Sequence, residues 1–196
     1  MNSKVINNKM KHLAVKAVLV LAFVCMHTLP LMAQWGNGNI NVRFSVPEIA
    51  ILDIEPDIGN VEFSINAASG PGGAPEVVNK SNESIWINYS SAIRENGNTR
   101  SIKAEISEGV IPKGISFFIE ASSASAFGSK NQGSSAGKVK VASAPRPIIT
   151  GIGSCFTGDG VNMGHHLKYF LEISDFTQIE AMGDYEFTVL YTITDN

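Results

Sequence analysis

Apolar and polar residues alternate along most of this chain with a period of two. Ile40, Val42, Phe44 and Val46 form one such set, followed after Pro47 by the continuously apolar Ile49 to Leu52. Val61, Phe63 and Ile65 form the next. Further sets are Ile85, Ile87 and Tyr89, then Ile102, Ala104 and Ile106, then Ile115, Phe117 and Ile119. Residues two apart lie on the same face of a strand, so each set predicts a strand with one buried face, and the apolar run at Ile49 to Leu52 predicts one covered on both. Between the sets stand turn formers such as Glu95-Asn96-Gly97-Asn98 and Pro112-Lys113-Gly114, which favour chain reversal over helix. A short strand near Lys138 to Val141 and an extended Pro145 to Thr150 follow. Two strong alternations close the chain: Leu167, Tyr169, Leu171 and Ile173, then Tyr185, Phe187, Val189, Tyr191 and Ile193. Ala67 to Pro75 reads as a loop. Ala121 to Gly137, rich in Ser, Ala and Gly with Phe127 as its one large apolar residue, reads as a long flexible excursion. About nine strands in this length predict an all-β fold, an antiparallel β-sandwich of Greek-key, immunoglobulin-like type over residues 40–196.

The pattern differs at the N-terminus. Lys4, Lys9 and Lys11 precede an apolar run from Leu13 to Val24, broken by Lys16, and the stretch ends at Pro30-Leu31-Met32-Ala33. Charged, apolar and small-residue regions in that order predict a secretory signal peptide over residues 1–33, cleaved after Ala33. The run falls short of the roughly 20 residues a membrane-spanning helix needs, and no second one follows, so no integral membrane segment is expected after cleavage. Cys25 follows Phe23-Val24, a bulky approach for a lipidated cysteine, which favours cleavage at Ala33 over lipid attachment. A secreted, periplasmic or cell-surface location follows. Residues 34–39 are expected as a flexible N-terminal segment.

Cleavage would leave 163 of the 196 residues, enough for one core, with 11 basic against 18 acidic residues and a net charge of −7. That balance excludes nucleic acid and anionic lipid as natural partners, since both require clustered Lys and Arg. Cys155 would be the sole remaining cysteine, so packing rather than a disulfide must hold the fold. Beside Phe156 it reads as a small buried hydrophobe.

Gly183-Asp184-Tyr185-Glu186-Phe187-Thr188-Val189-Leu190-Tyr191-Thr192-Ile193-Thr194 resembles the final strand of secreted bacterial β-sandwich modules, including fimbrial and surface-adhesion domains. The resemblance covers about a dozen residues and the general strand rhythm. It implies a surface module, and for pilus-type subunits it implies strand donation between protomers. Asp195 stands where that family commonly has an aromatic, and the family's paired cysteines are missing.

Candidate chemistry is sparse. Asp53, Glu55 and Asp57 would share one face of an extended segment and offer oxygen ligands to calcium, but Gly59 does not fit a helix-loop-helix calcium loop, and solvated turn carboxylates are the plainer expectation. Asp159, Gly160 and Asn162 offer a second oxygen-rich loop. His165 and His166 are adjacent, so on a strand their rings face opposite ways and cannot grip one metal. Neither a dinucleotide glycine spacing nor a serine-hydrolase motif is present, and nothing selects a glycosidase carboxylate pair. No catalysis and no cofactor are expected. Trp86, Phe118 and Phe170 occupy the outward parity of their strands, where aromatics offer a platform for sugar rings or a partner. The sequence therefore predicts a non-catalytic structural or adhesive module, with a carbohydrate-binding module using these outward aromatics as the alternative. Partners would be a protein or a second copy joined through sheet edges, the Ile40 to Val46 strand among them, or a glycan.

Overall fold

The computed structural model describes residues 3–26, 39–57, 60–180 and 183–196. The chain divides into two units, 1–44 and 45–196. The first holds one helix, α1 (Ser3–Met26), with exposed Leu13, Val18 and Leu21. No described helix is long and apolar enough to cross a membrane. Ala33, the expected cleavage site, and residues 34–38 lie outside the described residues.

The second unit is all-β. Its strands are β1 (Ile49–Glu55), β2 (Ile65–Asn66), β3 (Glu76–Val77), β4 (Ser81–Ala92), β5 (Arg100–Gly109), β6 (Ile115–Ala124), β7 (Gln132–Ser135), β8 (Lys138–Lys140), β9 (Arg146–Ile152), β10 (Cys155–Phe156), β11 (His165–Ile173) and β12 (Phe187–Asp195). One sheet runs β1-β4-β11-β6-β8, with β10 also pairing β4; a second runs β12-β5-β9-β7; β2 and β3 form a separate pair. Neighbouring strands are antiparallel throughout. From β4 to β10 the chain changes sheet at every step, and it changes again between β11 and β12.

The alternating apolar sets are what the two sheets share. Ile85, Ile87 and Tyr89 of β4, Phe117, Ile119 and Ala121 of β6, and Leu167 and Tyr169 of β11 meet Ile102 and Ala104 of β5 and Ile148, Ile149 and Ile152 of β9. Each fully buried Ile or Leu contributes about 1.5–3 kcal/mol relative to exposure, so this seam supplies the main stabilisation of the sandwich. In β9 both Ile148 and Ile149 are buried, and the register against β5 shifts around them. Gly151, at φ 72°, takes up the local irregularity.

Four expectations need correction. The Ile40 to Val46 alternation forms no strand, and Ile40 and Phe44 are 89% and 82% exposed. Alternation supplies a face to bury, but a strand also needs a neighbour for its amides, and among the described residues no strand pairs with this segment. Ile49 to Leu52 lies on an edge rather than in a doubly covered strand, with Ile51 63% exposed. Val61 and Phe63 reach the core without strand pairing; Phe63 meets Phe117 edge-on at 6.3 Å. The 121–137 segment is not wholly irregular, since β6 continues to Ala124 and β7 follows. Ser125 N–H donates to Gly164 O, and Gln132 Nε2 donates to the carbonyls of Phe127 and Phe156. Backbone and amide bonds order this stretch where apolar periodicity is silent. Among the described residues the strands number twelve rather than about nine, β2, β3 and β10 being only two residues long.

Candidate functional site: the outer face and the sheet edges

Trp86, Phe118 and Phe170 do project from one face, the outer side of the six-stranded sheet. Phe118 and Phe170 are register partners across β6 and β11, whereas Trp86 pairs with His166 further along β11. None is bare. The Trp86 indole stacks on the His166 ring at 4.4 Å, and Lys138 lies over both Phe118 and Phe170, with Lys168 also over Phe170. These ammonium groups are attracted to the ring faces and in turn pair with Glu172 and Glu83. The hydrogen bond from Lys168 holds the Glu83 carboxyl below its ordinary range. The aromatics are thus half-buried, their rings covered in part by these neighbouring side chains.

Further toward β1, Asp53, Glu55 and Asp57 bring their carboxylate oxygens within 4.8 Å of one another. The loop carrying Asp159 approaches them as well. Desolvation first, and then repulsion from Asp57, Asp53 and Asp159, raises the Glu55 pKa. Asn88, the cross-strand partner of Asp53, is 2% exposed and donates through Nδ2 to Gly160 O at 2.9 Å, which fastens that loop over β4. Gly164 permits the close approach: at φ 63° a Cβ there would lie 2.1 Å from Ile87 O and 2.7 Å from Asn88 Oδ1. The two acidic segments, separate in sequence, therefore flank one outer surface.

His165 and His166 face opposite ways, as adjacent strand residues must. His165 is fully buried, while His166 covers Trp86. Cys155 is buried, and desolvation pushes its thiol up to about 11, which keeps it protonated and unreactive at neutral pH.

The sheet edges differ sharply in chemistry. An unpaired edge offers amide and carbonyl groups to any incoming strand, and proteins discourage this with charge, brevity or bulges. The β1 edge carries Asp53 and Glu55; the β8 edge is three residues long with Lys138 and Lys140; the β7 edge is four residues long with Gly133 at φ 80°. The β12 edge is different. It runs nine residues with no charged side chain from Phe187 to Thr194, and Leu190 on its outward parity is 46% exposed. On the inward parity Val189, Tyr191 and Ile193 pack on the core yet remain only partly buried.

Sequence patterning missed the group that fixes the end of this edge. Arg100 Nε donates to Asp195 Oδ1 at 2.7 Å, its Nη2 donates to Glu48 Oε1 at 2.7 Å, and Nη1 reaches Ile49 O and Ser91 Oγ. A signal was present, because Arg100 shares the inward parity of Ile102 and Ala104, where a charge requires partners. The clamp ties β12 to β5 and to the entry of β1. Comparison of the chain with protein-family models, with curated proteins and with solved structures gives no match in any of the three.

Proposed function

We propose that this chain is an exported, non-catalytic structural or adhesive β-sandwich that joins other copies of itself by strand addition. The segment Ile40 to Val46 of one copy is the added strand, and β12 of the next is the accepting edge. The observation that carries this reading is the coincidence of an alternating, exposed apolar segment that pairs with no strand among the described residues with one long edge, uncharged from Phe187 to Thr194, whose inward side chains are incompletely covered. Seven extended residues span about 23 Å, within the reach of the nine-residue edge. Added backbone hydrogen bonds provide affinity, and alternate side chains entering the seam provide register. The basic, apolar and small-residue order of residues 1–33 supports export.

Deleting residues 34–46 tests the reading. Self-association of a chain beginning at Gln34 is expected to disappear while the sheet signal in far-ultraviolet dichroism persists. An unchanged sedimentation profile would refute strand addition by this segment. A second reading, carbohydrate binding, is favoured by the placement of Trp86, Phe118 and Phe170 on one face. A glycan array in which binding vanishes with Trp86→Ala would select it over self-association.

A further inference from the structure

His165 heads β11 with no exposed surface, and its ring is stacked on Tyr89 at 5.8 Å. Its Nδ1 lies 2.8 Å from Ser122 O and its Nε2 lies 2.8 Å from the Tyr89 hydroxyl, which in turn reaches Gln132 O. These contacts make a chain of three links from β6 through β11 and β4 to β7, and each link needs one proton. A neutral imidazole and a phenol together supply two. With Nδ1–H donating to Ser122 O, the Tyr89 hydroxyl can donate either to Nε2 or to Gln132 O, not to both. A third proton would complete the chain, but only as a buried imidazolium.

Among the described residues nothing of opposite sign acts on that ring. Tyr89 from β4 is the titratable group in contact, Cys155 on β10 acts on the Tyr89 phenol, and β6 and β7 contribute the carbonyls of Ser122 and Gln132. His166 lies on the other face of the strand against Trp86. We infer that His165 is a proton-operated latch on the segment from Ser122 to Gln132: taking up a proton opens this segment, which otherwise closes over the ring. Desolvation depresses the His165 pKa in the closed protein, and it does so against the two carbonyl bonds that raise it. An opened segment returns the ring to water, where imidazole titrates near 6.5. Mild acid therefore favours the open form, by about tenfold for each pH unit separating the two values. Gln132, whose side chain also holds Phe127 O and Phe156 O, is the point at which release spreads to the exposed Phe127.

Hydrogen exchange of peptides covering residues 122–137 between pH 7.5 and 5, corrected for intrinsic exchange, reads the opening directly. Protection in the unaltered protein is expected to fall as pH drops below about 6.5, and the pH dependence is expected to vanish in His165→Gln. Constant or rising protection in acid would overturn the proposal, the latter showing that the completed proton chain outweighs the buried charge. So would an unchanged pH dependence in the variant. Should His165→Gln fail to fold, the imidazole resonances of the unaltered protein decide: a His165 midpoint below 6.5 supports the latch, and one at or above it overturns the latch.

Discussion

Arg100 has 3% of its surface exposed and answers two carboxylates, of which Glu48 is partly and Asp195 mostly solvated. Removing the cation strands few charges, but removing its bonds leaves Ile49 O and Ser91 Oγ short of a donor. Arg100→Ala is expected to cost about 3 kcal/mol in urea unfolding, whereas Asp195→Asn, at an exposed partner, costs about 1 kcal/mol or less. Glu55 makes the opposite case. Its folded pKa is raised, so the folded protein holds this proton more tightly than the unfolded chain, and its charged form weakens the fold as pH rises through the ordinary carboxyl range. Glu55→Gln should raise the thermal midpoint at pH 7 in the presence of a chelator, and the gain should shrink below about pH 4.5. If calcium instead raises the midpoint of the unaltered protein and not of the variant, the three carboxylates are ligands rather than mutually repelling surface groups. At Gly164, where a Cβ would strike Ile87 O, Ala should destabilise far beyond an ordinary surface change.

Among the elements, β12 is the one whose chemistry invites company. Leu190→Lys places a charge on its outward parity without touching Val189, Tyr191 or Ile193, so the fold should persist while association is lost. How far these elements could be read from the sequence depends on what holds each one. Strands β4, β5, β6, β11 and β12 follow from apolar alternation because their inward residues are the core. Strands β7 and β10 are held by backbone ladders and by Gln132, with few apolar side chains, and leave no periodic trace. The Ile40 to Val46 pattern reads as a strand and forms none, because periodicity reports which side chains share a face and not whether a neighbouring strand stands beside them. Likewise Trp86, Phe118 and Phe170 were legible as outward, while the His166, Lys138 and Lys168 side chains that roof them arise from cross-strand register, which no linear pattern specifies.

For the whole molecule, two sheets sealed by Ile, Leu, Phe and Tyr side chains stand without a disulfide among the described residues. Stability should therefore be insensitive to reducing agents, and Cys155 should react with thiol reagents only after unfolding. Acid should act through His165 first. Its folded pKa lies below the unfolded value of about 6.5, so its contribution is full above that pH and is lost as pH falls toward the folded pKa. The assembly that we propose rests on one segment seeking an edge and one edge lacking a neighbour. Sedimentation velocity of the chain beginning at Gln34, across a concentration series, tests this most directly. Species larger than one copy are expected, and they should vanish both on deletion of residues 34–46 and in Leu190→Lys. A single monomer boundary at every concentration, or multimers that survive both changes, would contradict it.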